Sequence, residues 1–257
     1  MIKFFRHIRK SLLMNLPAGK AGNKTSRYFK YAIGEIVLVV IGILIALQIN
    51  NWNEKRIIKE ENNVILRNLN TEFSENLVQL DSSLNYFNDV IEGLDQLLKL
   101  MRTQEGNLTN SEFDTILHKT FFTPNWSPSS FVLVELKNSG ALSKLSNNKL
   151  KSLLFKWERE FDKMEQSKIG YIEYGSQYIE FITKNGSVRN LDALSERTKN
   201  LQKSIIAQNN PALLKVPEFE NRADNFYFLA VSIRNELKTL KVIMKDIIKV
   251  SNIELKQ

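Results

Sequence analysis

Residues 31–54 read YAIGEIVLVVIGILIALQINNWNE, and this stretch decides the architecture of the chain. Its central apolar run, residues 32–49, is interrupted only by Glu35 near the start and Gln48 near the end. A helix over residues 28–52 is about 37 Å long, which is enough to cross a hydrocarbon core of about 30 Å. The sequence therefore predicts one transmembrane helix at 28–52, close to the N-terminus.

The distribution of charge gives the orientation of this helix. The chain has a net charge of +8, and its first 30 residues contain eight Lys and Arg but no Asp or Glu. The whole basic excess therefore precedes the apolar run. Because basic flanks stay in the cytoplasm, we expect a bacterial inner-membrane protein with a single span, a cytoplasmic N-terminus and a periplasmic domain over residues 53–257. The neutral domain argues against a nucleic-acid partner, which would need cations clustered on the domain itself.

Residues 1–27 form the predicted basic cytoplasmic tail. Apolar and basic residues alternate over residues 2–13, a pattern typical of a short amphipathic helix on an anionic leaflet. Membrane lipid is therefore an expected partner. No small-x-small cleavage site follows Leu47, which favours an uncleaved anchor over a signal peptide.

Two features within the span suggest more than anchoring. Gly34, Gly42 and Ala46 form a strip of small residues on which a second helix could pack, which predicts a homodimer or a partner membrane protein. Gly and Ala are also simply common in such helices. Glu35 is an ionisable group inside the span, which marks a functional position unless its side chain snorkels to the headgroups.

The stretch at residues 31–54 resembles the opening signature of a bacterial family of unknown function, number six thousand and ninety in the domain-of-unknown-function series. The starting residues MIKFFR and the later stretch FVLVELKNSGALSKL at residues 131–145 fit this resemblance. It implies a membrane-anchored protein without an established activity. Leu133 departs from the family pattern, which has Glu two residues after the Phe, so the resemblance supports no carboxylate function there.

Apolar residues spaced by three and four predict an all-α domain after the span. The three long amphipathic helices start near Phe73, near Leu150 and after Pro217. Shorter helices are expected at residues 111–119, from a cap at Ser129 or Ser130 to about residue 136, and at residues 192–207. We expect an elongated, mostly antiparallel bundle of the four-helix type, with the first helix leaving the membrane.

The residues of common catalytic and metal sites are scarce. Cys is absent, which excludes disulfides, thiol nucleophiles and thiolate metal sites. His7 and His118 are expected on opposite sides of the membrane, and neither a Glu-x-x-His nor a Gly-x-Ser-x-Gly motif occurs. We therefore expect no catalytic residue, no metal ligand and no cofactor.

The irregular segment at residues 121–130 is the best candidate contact for a partner or ligand. Phe122, Pro124 and Trp126, with Phe131 directly after them, combine apolar area with a restricted backbone. The alternative, which we prefer, is that these residues close one end of the bundle core.

Three functional hypotheses follow. The first is a non-enzymatic, membrane-tethered interaction or scaffold protein. The second is a bundle that senses a small ligand and signals through a partner membrane protein, and a hydrolase is a distant third. A concave polar pocket in the bundle would favour sensing, whereas an exposed apolar patch would favour protein interaction.

Overall fold

The computed structural model describes residues 24–103, 108–198, 200–206 and 209–255. The amphipathic segment expected in the tail and the turn expected at residues 104–107 lie outside these ranges. The chain divides into two compact units, residues 1–60 and 61–257. Helix α1, Lys24–Thr103, begins in the first unit and continues into the second without a break in its secondary structure.

The first unit contains the apolar run. From Ala32 onward α1 includes an 18-residue window with a mean hydropathy of 2.6, and none of this window is buried. Its side chains include Ile36, Leu44 and Leu47, which are all more than half exposed. By length and composition this part of α1 can cross a membrane.

The second unit consists of helices and their connections. In addition to α1, the structure has α2 (Asn110–Thr120), α3 (Phe131–Asn138), α4 (Ala141–Lys144), α5 (Asn148–Asn185), α6 (Val188–Asp192) and α7 (Pro217–Glu254). Two 3-10 turns, Glu196–Thr198 and Asn210–Lys215, lie between α6 and α7. No strand occurs within the described ranges. The predicted all-α class is confirmed.

The three long helices pack along their predicted apolar seams. Helix α7 runs antiparallel to α1, since Asn70 donates to Ser251 near one end and Asp81 pairs with Lys241 further along. It also runs antiparallel to α5, as the ring contact between Tyr178 and Phe219 and the bond between Ser167 and Glu236 require. The buried residues of the seams include Leu80, Leu84, Phe87, Leu94, Leu150, Leu154, Tyr171, Tyr178, Phe226, Ile233, Leu240 and Ile247.

The fourth position of the bundle is filled by a segment that is only partly helical. This segment, residues 110–138, comprises α2, an extended stretch and α3, and we call it the second arm. It runs antiparallel to α1: a Cβ placed on Gly93 would lie 2.7 Å from Thr120 Cγ2, whereas Val132 N donates to Glu72. The up-down-up-down order of a four-helix bundle results.

The middle of the second arm is extended because of the distance along α1 that it must cover. Between the levels of Gly93 and Glu72, α1 rises about 31 Å, but the second arm covers this length with residues 120–132. The same residues in a helix would cover only about 18 Å. The backbone must therefore be extended, and Pro124 and Pro128 favour extended conformations at and before their own positions.

Local signals begin and end the shorter helices. Thr109 and Glu112 form a capping box at α2. Gly140, with φ of 70°, supplies the left-handed residue that ends the turn after α3. The expected side-chain cap at α3 is wrong, because Ser130 occupies the N-cap without a side-chain hydrogen bond and the Ser129 hydroxyl donates to Glu72 instead.

The helix predicted at residues 192–207 is also wrong. Helix α6 ends at Asp192, a 3-10 turn follows, and residues 201–204 have no regular structure. Polar side chains bind the backbone here in place of helical partners: the Thr198 hydroxyl donates to Asp192 O, and Ser204 N donates to Asn190 Oδ1. Such side-chain bonds compete with a helix, which the apolar spacing alone does not reveal.

Candidate interaction site

The aromatic loop, residues 121–130, is held against α1 by two polar side chains. Asn76 forms a pair of hydrogen bonds with the backbone of Ser129: Ser129 N donates to Oδ1 at 2.8 Å and Nδ2 donates to Ser129 O at 2.7 Å. Glu72 accepts from the Ser129 hydroxyl at 2.5 Å and from Val132 N at 3.1 Å. Glu72 therefore caps α3 from a neighbouring helix.

Trp126 points from the loop into the bundle. Its side chain is only 4% exposed. Its ring stands edge-to-face with Trp157 at 6.0 Å and with Phe161 at 6.3 Å between ring centroids. Such aromatic contacts add to the stabilisation from burial. Trp126 thus fixes the loop to the core.

The other three residues singled out in the sequence occupy different environments. Phe131, the first residue of α3, is 73% exposed, and Phe122 is 44% exposed with its ring against His118 at 5.3 Å. Pro124 is half-buried and lines a cavity with Trp126. The loop therefore fixes Trp126 in the core and presents Phe122 to solvent, and Phe131 is exposed directly after it on α3.

Tyrosines of α5 pack beneath the loop. The Tyr178 hydroxyl shares a hydrogen bond of 2.7 Å with the Thr120 hydroxyl at the end of α2. Tyr171 is buried against Phe87 and Phe226. Burial raises the pKa of both tyrosines well above 10.0, so each hydroxyl remains protonated in the folded domain throughout the ordinary pH range.

A small cavity lies between the loop and Tyr171. Its volume is about 10 Å³, which suits one water molecule. Trp126 Nε1 and the Tyr171 hydroxyl belong to residues that line it, and neither atom has a hydrogen-bond partner among the described residues. The Lys168 side chain also lines the cavity and is paired with Glu165 at 2.6 Å. The cavity is too small for an organic ligand.

The residues singled out in the span lie on an open helix surface. Glu35 and Ala46 are exposed. A Cβ added to Gly34 or Gly42 would meet nothing within 4 Å. The strip is thus free of intramolecular contacts, and its pairing with a second helix stays a prediction.

Sequence reasoning did not identify Glu72 and Asn76. Both are buried, with 7% and 1% exposure, and they lie one helical turn apart on the side of α1 that faces the second arm. Two polar residues at this spacing beside the apolar seam were the available signal. Their partners are the backbone and hydroxyl of Ser129 and the backbone of Val132, 53 to 60 residues away, which no local pattern specifies.

Within the described ranges no three His, Asp or Glu side chains come together as a possible metal site. The His118 ring stands edge-to-face with Phe122, and its Nδ1 is buried without a hydrogen-bond partner among the described residues.

An exposed apolar helix that can cross a membrane, followed by a packed helical bundle, defines an all-α protein with a possible membrane anchor. Residues 35–125 match the model of a family described as Family of unknown function (DUF6090). This match covers most of the apolar run, the rest of α1, α2 and the first part of the aromatic loop, and it confirms the family resemblance seen at residues 31–54, whereas residues 1–6 and 131–145 lie outside it. No curated protein and no solved structure matches the chain.

Proposed function

We propose that this chain is a membrane-anchored, non-enzymatic interaction protein whose helical domain recognises a protein partner through the exposed side of the aromatic loop and α3. The observation that carries the proposal is the division of the loop. Trp126 is fixed in the core, while Phe122 and Phe131 face solvent, and Asn76 and Glu72 hold the backbone on the two sides of Phe131. A fixed backbone lowers the entropy cost of binding through such side chains.

The anchor is the second part of the proposal. The exposed apolar window of α1 supports membrane insertion, and the basic excess before it supports a cytoplasmic N-terminus with the domain in the periplasm of a bacterium. An anchored domain binds its partners at the membrane surface, where an accessory or scaffold protein of the cell envelope would act.

The sensing alternative receives no support from the cavity beneath the loop. Small-molecule sites usually have volumes of about 300–1,000 Å³, whereas this cavity has about 10 Å³ and admits a single water. Ligand sensing through this part of the bundle would need a different conformation of the loop.

The test compares two exposed phenylalanines in the full chain. Phe131 is 73% exposed on α3 and Phe228 is 70% exposed on α7, so they are matched in chemistry and burial. The full-length protein would be captured from mild-detergent extracts of its own membranes, and co-purifying proteins would be quantified. We expect Phe131→Ala to remove a specific partner and Phe228→Ala to retain it.

Equal partner recovery with both variants would contradict the proposed surface. Loss of the partner with Phe228→Ala alone would move the interface to α7. Both substitutions affect exposed side chains, so unchanged melting temperatures are expected and confirm that the comparison reports binding.

A further inference from the structure

The connection between α5 and α7, residues 186–216, is much longer than a bundle requires. Helix connections in bundles usually have about 2–8 residues, and longer ones that keep an ordered structure commonly serve a function. This connection contains α6 and both 3-10 turns. It closes the end of the bundle at which α5 ends and α7 begins.

A buried polar network holds the connection on α2. Asp114 is 1% exposed and accepts from Asn210 Nδ2 at 2.7 Å and from Lys203 Nζ at 3.2 Å. Asn210 Oδ1 in turn accepts from Ser187 N at 2.6 Å. Buried, mutually satisfied groups of this kind define one conformation of a loop.

Further bonds fix the backbone close to the tip of the connection. Arg189 Nε donates to Gln202 O at 2.9 Å, and Ser204 N donates to Asn190 Oδ1 at 3.0 Å. Both bonds end within three residues of Ile205. The backbone that leads into the tip is therefore held by α6, and Ile206 N donates to Ser204 Oγ within the tip at 3.2 Å.

The tip presents two aliphatic side chains to solvent. Ile205 is 100% exposed and Ile206 is 91% exposed, which makes them the most exposed of the large hydrophobic side chains in the described chain. Side chains of this size are normally buried on folding. A fixed backbone that holds two adjacent isoleucines in water indicates a surface that becomes buried on contact with a partner.

The charge around the tip indicates the chemistry of that partner. Residues 61–257 contain 25 Lys and Arg and 25 Asp and Glu, so this unit is neutral. Residues 186–216 contain five Lys and Arg and only two Asp and Glu. The connection that carries the isoleucine pair therefore has a cationic excess, to which Arg197 and Lys215 contribute exposed side chains.

We propose that this tip, residues 203–206 with the basic side chains around it, binds the surface of an anionic lipid bilayer. Ile205 and Ile206 enter the boundary between headgroups and acyl chains, while the cations remain at the level of the phosphates. A lipid surface fits better than a protein, because a stable protein interface buries about 800 Å² on each partner and relies on Trp, Tyr and Arg anchors. The contact is separate from the span and from the aromatic loop.

The absence of Cys allows a direct test in the full chain. Ile205→Cys would carry an environment-sensitive fluorophore, and Val242→Cys, at an exposed position on α7, would carry it as the control. The labelled chain would be placed in nanodiscs of phosphatidylcholine, with or without phosphatidylglycerol. In a second arm, phosphatidylglycerol vesicles would be added to the phosphatidylcholine nanodiscs. This arm distinguishes contact with the bilayer that holds the span from contact with a separate bilayer.

We expect a blue shift at position 205 in at least one anionic arm, no shift at position 242, and loss of the shift at high salt. Ile206→Asp and Arg197→Glu, each introduced into the chain labelled at position 205, should both strongly reduce the blue shift. The inference is overturned if position 205 does not respond in either arm, or if it responds equally to neutral lipid. Cross-linking of position 205 to an acidic protein without a lipid response would also overturn it. Failure of the chain to enter nanodiscs would instead contradict the proposed anchor.

Discussion

At the scale of single residues, the aromatic loop separates stability from recognition. Trp126 contributes its ring to a cluster with Trp157 and Phe161, whereas Phe131 is mostly in water. The sequence identified both residues but could not distinguish them. Whether a side chain of an irregular segment is exposed depends on which side of the extended backbone faces the bundle. Here the hydrogen bonds of Asn76 and Glu72 on α1 fix that orientation.

We predict that Trp126→Ala destabilises the folded domain. Removal of a large buried aromatic ring leaves a cavity and should lower the free energy of unfolding by about 3–5 kcal/mol. Phe131→Ala should change it by less than about 0.5 kcal/mol, because an exposed side chain loses little contact on truncation. Thermal unfolding of the full chain in detergent, followed by circular dichroism, measures both. A Trp126→Ala protein as stable as wild type would show that the ring is not part of the core.

A second prediction at this scale concerns alkaline pH. Burial raises the pKa of Tyr171 and Tyr178 above 10.0, so above this pH the unfolded chain loses protons that the folded chain keeps. Their contribution is therefore complete below about pH 10 and declines as the pH rises, by about 1.4 kcal/mol per pH unit for each tyrosine. Denaturant unfolding of the full chain at a series of alkaline pH values measures this slope.

The control for the alkaline slope is the variant with both Tyr171→Phe and Tyr178→Phe. Its stability should fall less steeply with pH than that of the wild type, although it loses the hydrogen bond to Thr120. Other groups also titrate in this range, so the difference between the two slopes is the informative quantity. Identical slopes would mean that the two hydroxyls ionise in the folded domain as they do in water.

At the scale of helices, periodicity predicted the long elements well and the short ones less well. The apolar seams of α1, α5 and α7 follow from spacing in the sequence, because each helix buries one face along its whole length. The second arm could not be predicted in the same way. Its extended residues match the distance along α1 that they must cover, and this distance exists only once the bundle has assembled.

The connection at residues 186–216 shows the same limit. Its spacing of apolar residues fits a helix at residues 192–207, yet side-chain bonds hold this backbone instead, and Asp114 binds both Lys203 within the range and Asn210 beyond it. Asp114 lies on α2, 96 residues before Asn210. A local pattern contains no information on such a contact.

We predict that Glu72→Ala loosens α3 more than it loosens the bundle. The substitution leaves Val132 N and the Ser129 hydroxyl without their acceptor, which should cost about 1–3 kcal/mol. Glu75→Ala, on the exposed side of the same helix, is the matched control and should be nearly neutral. Hydrogen exchange of the full chain should show faster exchange at the first amides of α3 in Glu72→Ala only. Unchanged protection at Val132 would mean that Glu72 does not cap α3.

At the scale of the whole molecule, two kinds of surface are exposed in the two units. The apolar window of α1 is continuous and unburied, as expected for a helix whose side chains contact lipid. The second unit buries its apolar seams and leaves only local patches such as Phe131 and the Ile205–Ile206 pair. The sequence alone predicted the first surface, because a long apolar run is recognised without any knowledge of tertiary contacts. The patches in the second unit emerge only from the packing.

The last prediction concerns association through the span. On a helix, Gly34, Gly42 and Ala46 face one side, and Val40 lies almost opposite to this strip at 100° per residue. Because a Cβ on Gly42 would meet nothing within 4 Å of its own chain, Gly42→Ile should disturb only contacts with a second helix. We expect Gly42→Ile to reduce self-association in a membrane two-hybrid assay several-fold, Gly42→Ala to have a smaller effect, and Val40→Ile to have none. A reporter active only outside the cytoplasm, fused after Gln257, should remain active in all three variants and thereby confirm insertion with the expected orientation. Equal association of Gly42→Ile and wild type would remove the strip as a dimer contact, and a reporter that is inactive in the wild type would contradict the orientation itself.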